Sequence, residues 1–135
     1  MVSELRRVLE APPLIAIVDD DESTRVAVKS LMRSLRFAAE TFASAEDFLA
    51  SPHLDEAACL VVDVHMPGMS GPNLHRKLVA SGKHIPTILI TAFATDSLKK
   101  RALDNGVLCF LEKPFAEDDL VSCIQRALAQ PAAIL

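Results

Sequence analysis

Polar side chains stand directly behind four short apolar runs, and their types suit phosphate chemistry. Asp19, Asp20 and Asp21 follow Leu14–Val18, Asp63 follows Cys59–Val62, Thr91 follows Thr87–Ile90, and Lys113 stands just past Val107–Leu111, before Pro114. Carboxylates gathered in one place repel: at about 4 Å and an effective dielectric near 20, each pair costs about 4 kcal/mol. A hard divalent cation would offset that cost, and Mg²⁺ favours one or two carboxylates together with phosphate oxygens. Lys113 would add a point charge and Thr91 a hydroxyl donor for a phosphoryl oxygen. A carboxylate can also be the nucleophile itself, giving an aspartyl phosphate. The set suggests metal-dependent phosphoryl transfer to an aspartate. Taken singly, each residue has a plainer role: Asp19–Asp21 as a solvated turn and helix cap, Asp63 in a loop, Thr91 as a cap, Lys113 on the surface.

The elements that must position these residues alternate. Leu14–Val18 (LIAIV) reads as a strand buried on both faces, and Val28, Leu31, Met32 and Leu35 fall at helical spacing after it. Ala38–Phe42 is a weaker strand. Ser44-Ala45-Glu46-Asp47 opens a short helix with a capping-box-like pattern. Cys59–Val62 is the third strand, and His65–Gly71 (HMPGMSG) is a loop by its Pro and Gly content. Pro72 suits the first turn of a helix carrying Leu74, Leu78 and Val79. Thr87–Ile90 and Val107–Leu111 are the fourth and fifth strands. Between them Asp96–Asn105 reads as a helix ended by Gly106. A last helix opens on Glu117-Asp118-Asp119, which suits its positive N-terminus, and buries Leu120, Ile124 and Leu128. Repeated βα units imply a parallel sheet with helices on both faces. In such sheets ligands bind beyond the carboxyl ends of the strands, where all of these polar residues fall.

The 135 residues are one domain's worth of chain, half of them apolar and a quarter charged, a globular balance that excludes a disordered or fibrous protein. We read 1–13 as an N-terminal leader, 14–130 as the domain and 131–135 as a tail. The longest apolar run, Ala57–Val62, is six residues, too short to span a bilayer, and the first residues lack the apolar core of a signal peptide, so a cytoplasmic location with no membrane partner is expected. With a net charge of −4 and Lys99-Lys100-Arg101 as the densest basic stretch, direct nucleic-acid binding by this domain is not expected. Cys59, Cys109 and Cys123 are odd in number and lack CxxC spacing, so they read as small buried hydrophobes. His53, His75 and His84 read as surface residues.

Four segments resemble the receiver domain of bacterial two-component response regulators. They are Val18-Asp19-Asp20-Asp21, Asp63 through Gly71, Ile90-Thr91-Ala92 and Leu111-Glu112-Lys113-Pro114-Phe115, in the family's order and at its separations, within a match running from about Leu14 to Gln130. The resemblance implies a flavodoxin-like (βα)5 fold, a doubly wound five-stranded parallel sheet in the order 2-1-3-4-5. It implies Asp63 as the acceptor of a phosphoryl group from the phosphohistidine of a sensor histidine kinase or phosphotransfer protein. It implies Mg²⁺ held directly by Asp20, Asp63 and the backbone carbonyl of His65, with Asp19 acting mainly through water. Thr91 matches the switch hydroxyl, Lys113 the phosphate-binding lysine, Phe110 the rotating aromatic, and Lys113-Pro114 the site of a cis bond. The fourth helix, fifth strand and last helix would form the face that changes on phosphorylation to control output or homodimerisation.

The resemblance implies a signalling switch, with no enzymatic role beyond assisting its own phosphorylation and dephosphorylation. Segment spacing near His84-Ile85-Pro86 is similar to receivers that precede a DNA-binding output domain. His65 and Phe93 occupy variable positions that in this family influence phosphoryl lifetime. Two alternatives are a small haloacid dehalogenase-type aspartyl-phosphate phosphatase, using the Asp-x-Asp within Asp19–Asp21, and a phosphate-independent interaction scaffold. The first leaves the Asp63 loop unexplained and the second leaves the acidic cluster without a use. A flavodoxin is disfavoured because no Ser/Thr/Gly-rich phosphate loop follows the first strand.

Overall fold

The computed structural model describes residues 12–130. The leader expected over 1–13 lies outside the described residues except for its last two positions, and the tail expected over 131–135 lies wholly outside them. Five parallel strands, β1 (Leu14–Val18), β2 (Ala38–Phe42), β3 (Ala57–Asp63), β4 (Thr87–Thr91) and β5 (Cys109–Glu112), form one sheet in the order β2-β1-β3-β4-β5. The helices are α1 (Glu22–Ser34), α2 (Ala45–Leu49), α3 (Gly71–Ala80), α4 (Asp96–Asp104) and α5 (Glu117–Ala129). No described helix is long and apolar enough to cross a membrane.

The period of two along each central strand divides the core. Ile15, Ile17, Val61, Ile88 and Ile90 pack with Val28 and Met32 of α1 and with Leu120 and Ile124 of α5. Ala16, Val18, Leu60, Val62 and Leu89 pack on the other face with Phe48 of α2, Leu74 and Leu78 of α3, and Ala102 of α4. Each large side chain so buried contributes about 1.5–3 kcal/mol, so both helix layers hold the sheet firmly.

The termini of these elements follow local chemistry. Asp21 caps α1 by accepting from Ser23 N, and Ser44 caps α2 by accepting from Asp47 N. Ser70 caps α3 through Asn73 N, so that helix starts one residue before Pro72. Gly71 has no substitute here, because a Cβ would lie 2.5 Å from the Asp63 carbonyl oxygen. Gly106 ends α4 at φ +97, as expected.

Three strands differ from their expected bounds, β4 by the addition of Thr91, which pairs with Glu112. β3 extends over Ala57–Asp63 because Asp63 stays in the ladder opposite Ile90. β5 starts at Cys109 because Val107 N instead bonds back to Ala102 O and closes α4. One expectation is overturned: His75 is not on the surface. It sits on the buried side of α3, 6% exposed, close to Gly106, where burial holds its imidazole below the ordinary pKa, helped by Arg76.

Candidate functional site

The carboxyl ends of β1, β3, β4 and β5 converge on one edge of the sheet. Carboxylate oxygens of Asp19, Asp20 and Asp63 all lie within 4.8 Å of one another. Asp19 is fully buried and Asp63 nearly so, while Asp20 is exposed at the mouth. Lys113 Nζ, just past β5, is 2.8 Å from Asp19 Oδ2 and 3.8 Å from Asp63 Oδ2. The Lys113-Pro114 bond is cis. The sequence-derived cluster is therefore one physical site.

Asp19 is held on every side. Its Oδ1 accepts from Asp21 N at 2.9 Å, its Oδ2 takes Lys113, and its backbone carbonyl accepts from Arg25 Nη1 at 2.7 Å. Asp63 is less well compensated. Burial pushes its carboxyl above the ordinary carboxylate pKa, and the negative charges of Asp19 and Asp20 add to the effect. Lys113 and a backbone hydrogen bond from His65 pull the other way. The donor set consists of hard oxygens with unbalanced negative charge, which fits Mg²⁺ and does not fit a soft metal.

Thr91 ends β4 fully buried, and its Oγ1 accepts from Phe93 N at 3.1 Å. Its backbone oxygen accepts from Lys113 N at 2.7 Å, which ties β4 to the lysine. Register pairs Leu89 with Phe110 and Thr91 with Glu112, so alternation puts Thr91, Leu89 and Phe110 toward the α4 side of the sheet. Phe110 is half-buried and borders a cavity of about 200 Å³ with Ala94, Thr95 and Lys99.

Asp21 has a different role from its neighbours. Its carboxylate accepts from Ser23 N, Ser23 Oγ and Thr24 Oγ1, bonds that hold it below the ordinary carboxylate range. A carboxylate spent on capping α1 cannot serve as the second acid of an Asp-x-Asp phosphatase.

Two contributors, Arg25 and Glu46, and one contact, between His65 and Phe93, escaped the sequence reading. Arg25 fixes the Asp19 carbonyl from one turn into α1. Glu46 Oε2 accepts from Met69 N at 3.0 Å and holds the loop after Asp63 from across the fold. His65 and Phe93, both exposed, meet edge-to-face at 6.0 Å between ring centres and link the two loops that flank Asp63. The Arg25 spacing was readable as one helical turn past the acidic run, whereas nothing local signals contacts that join distant loops. A groove of about 510 Å³ opens beside Lys113, lined mostly by apolar residues including Ala27, Leu31, Pro114 and Phe115.

Comparison with known proteins agrees with this geometry. Residues 15–125 match the response regulator receiver domain model. The chain is 36% identical over 124 residues to the response regulator protein TodT of Pseudomonas putida, covering 92% of this chain and 55% of TodT. It is 35% identical over 119 residues to the C4-dicarboxylate transport transcriptional regulatory protein DctD of Rhizobium meliloti, covering 88% of this chain and 26% of DctD. The crystal structure of FixJ-N superimposes with a TM-score of 0.81 at 33% identity, covering 93% of this chain and all of that one. The chain thus spans about half the length of TodT, and a smaller part of DctD. Matched motifs, strand order and convergent site together place the chain in the family of response regulator receiver domains, the signalling modules of two-component systems.

Proposed function

We propose that this domain accepts a phosphoryl group on Asp63 from the phosphohistidine of a sensor kinase or phosphotransfer protein, in the cytoplasm, and acts as the receiver part of a transcriptional regulator. The observation that carries this reading is the juxtaposition at Asp63, whose carboxylate lies in a cluster with Asp19 and Asp20 while Lys113 Nζ stands 3.8 Å away. Asp63 sits at the end of the central strand, its charge the least compensated of the buried acids. In the reaction an Asp63 oxygen attacks phosphorus, the P–N bond breaks, and its electron pair returns to the donor imidazole. Lys113 neutralises charge on the transferred group, and Thr91 donates its hydroxyl proton to a phosphoryl oxygen. Asp20, Asp63 and the His65 carbonyl would hold Mg²⁺, with Asp19 behind them, and the ion would supply charge neutralisation between carboxylates and phosphate. The donor protein must approach this mouth, and the groove beside Lys113 offers it an apolar contact surface.

The added group carries roughly 1.5–2 negative charges. Drawing Thr91 toward it leaves room on the α4 side of β4 for Phe110, which shifts the face made by α4, β5 and α5. Moving such a switch from about 1:99 to 99:1 takes roughly 5.5 kcal/mol. Two charge-assisted contacts at about 1.5–3 kcal/mol each approach that value.

The test is intact mass after incubation with Mg²⁺ and acetyl phosphate. Wild type should gain one phosphoryl group and Asp63→Asn none. Thr91→Ala should still be phosphorylated but show no activation-dependent association by light scattering with beryllium fluoride. Phosphorylation of Asp63→Asn at the wild-type rate, mapped to Asp19 or Asp20, would overturn the acceptor assignment. A wild type that gains no mass would favour a phosphate-independent scaffold.

A further inference from the structure

We propose that Glu46 is a positioning residue for the acceptor site: its carboxylate anchors the loop that follows Asp63 and so holds the His65 carbonyl in place for the metal ion. The inference rests on the phosphoryl reading above, in which that carbonyl is a Mg²⁺ ligand. It gives Glu46 a part in metal affinity although Glu46 stands on α2, outside the acidic cluster. Residues 65–70 join β3 to α3. Both ends of this loop are pinned, Val64 N donating to Ile90 O at 2.9 Å and Gly71 N to Val64 O at 3.1 Å. Between those ends, among the described residues, one hydrogen bond ties the loop to an element other than β3 and α3, the bond from Met69 N to Glu46 Oε2 at 3.0 Å. Gly68 meets the same oxygen from the preceding residue. Its φ is +77, and a Cβ there would lie 2.7 Å from Glu46 Oε2, so the bare Cα is what lets the carboxylate reach the loop backbone.

The anchor stands on a firm base. Ala45 and Phe48 of α2 are buried, the Phe48 ring meets Phe42 of β2 edge-to-face at 5.3 Å, and Ser44 caps the helix through Asp47 N. Met66 and Met69 seat the loop on the same core cluster that holds Phe48. Apolar contact has no direction, so it keeps the loop near the core without fixing which way each peptide faces, whereas the hydrogen bond from Met69 does fix it. Glu46 also has a plainer use, since it lies in the first turn of α2, where negative charge favours the helix. That use needs the charge, whereas the anchor needs only an acceptor oxygen, so Glu46→Gln separates the two.

The test titrates MgCl₂ into the unphosphorylated wild-type chain and its variants and follows the backbone amide resonances by NMR, with hydrogen exchange of the Met69 amide measured in the absence of metal. Glu46→Ala should raise the Mg²⁺ Kd by about three- to tenfold, at the foot of the roughly 10–100-fold loss typical of groups that bond a metal ligand directly, because Glu46 is exposed and acts through the chain. The same variant should speed exchange at Met69 several-fold. Glu46→Gln keeps an acceptor oxygen and should stay within about twofold of wild type on both counts. Gly68→Ala displaces the carboxylate, so it should weaken Mg²⁺ binding more in the wild-type background than in Glu46→Ala, where the contact is already gone. An unchanged Mg²⁺ Kd or an unchanged Met69 exchange rate in Glu46→Ala would overturn the positioning role. Glu46→Gln as weak as Glu46→Ala would overturn it too, by assigning the effect to charge. Equal losses from Gly68→Ala in both backgrounds would break the link between the loop and the carboxylate. A wild type whose resonances ignore Mg²⁺ would instead overturn the metal reading on which the inference rests. Glu46 and Gly68 are both exposed, and the same spectra show whether each variant is folded.

Discussion

Replacing Lys113 by Met keeps most of the side-chain volume and deletes the cation that two acids share. At an effective dielectric near 20, its 2.8 Å contact with Asp19 carries about 6 kcal/mol of gross attraction, and its 3.8 Å contact with Asp63 about 4 kcal/mol. Two effects reduce the net loss. The lysine side chain is only 19% exposed, so the wild type already bears part of its desolvation cost, which the variant recovers. The stranded carboxylates can also take up a proton; at pH 7 this costs about 1.4 kcal/mol per pKa unit, or about 4 kcal/mol for an ordinary carboxyl, which sets a ceiling for each acid. A destabilisation of about 2–4 kcal/mol remains, close to the cost of breaking other buried ion pairs. For a chain of this length it lowers Tm by about 10 °C.

The sign with pH is fixed. Removing Lys113 raises the Asp63 carboxyl pKa further in the folded state, where burial and the charge of Asp19 already raise it. A raised carboxyl is penalised only when ionised, so the deficit is full at pH 7 and shrinks as pH falls through the folded pKa. The assay is thermal denaturation by circular dichroism at pH 7 and pH 5, without divalent cations. Equal melting temperatures at pH 7, or a deficit that stays the same or widens at pH 5, would refute the electrostatic account of the site.

Other consequences follow from neighbouring residues. Mg²⁺ should raise the wild-type Tm, since a ligand at about 100 times its Kd stabilises by about 2.7 kcal/mol, and Asp20→Asn should lose most of that rise; a Mg²⁺-independent wild-type Tm would argue against a metal site. Phe93, 73% exposed and paired with His65 beside the mouth, should slow entry of the hydrolytic water, so Phe93→Ala should shorten the lifetime of the phosphorylated form followed by intact mass; an unchanged or longer lifetime would show that the ring is no shield. His75 is held below its ordinary pKa, so the unfolded chain takes up a proton near pH 6.5 that the folded chain refuses. Stability from this group is therefore complete above about pH 6.5 and lost as pH falls below it, and His75→Gln should flatten the slope of Tm against pH there.

The central strands were legible because both faces of the sheet are covered, which leaves continuous apolar runs such as LIAIV and CLVV. Strand-end logic then located Asp19, Asp63 and Thr91, each the first polar residue after or at the end of such a run, and Lys113, which follows its run after Glu112. Boundaries fared worse where a backbone bond overrides composition. Val107 is as apolar as a strand residue, yet its N–H is taken by Ala102 O. His75 misled for a related reason: its polarity suggested solvent, but its place one residue after Leu74 turns it toward the α4 end and Gly106. Glu46 and Met69 are 23 residues apart, so no local pattern could join them.

Thr91 shows how such a site can be both fixed and ready to move. Its hydroxyl accepts from Phe93 N, which uses one lone pair and leaves the hydroxyl proton free. A phosphoryl group on Asp63 would offer that proton a charged acceptor, and a hydrogen bond to a charged group contributes about 1.5–3 kcal/mol, against about 1 kcal/mol for the neutral bond to Phe93 N–H. Even if the movement breaks the Phe93 bond completely, the exchange is favourable, and the loop carrying Phe93 is released at the same time. Phe110, half-buried on the same side of the sheet and next to an open cavity, has somewhere to go when Thr91 leaves. The side chain that senses the charge and the side chain that reports it are thus on adjacent strands with one pair of residues between them, Ile90 and Leu111, so the signal needs no rearrangement of the sheet.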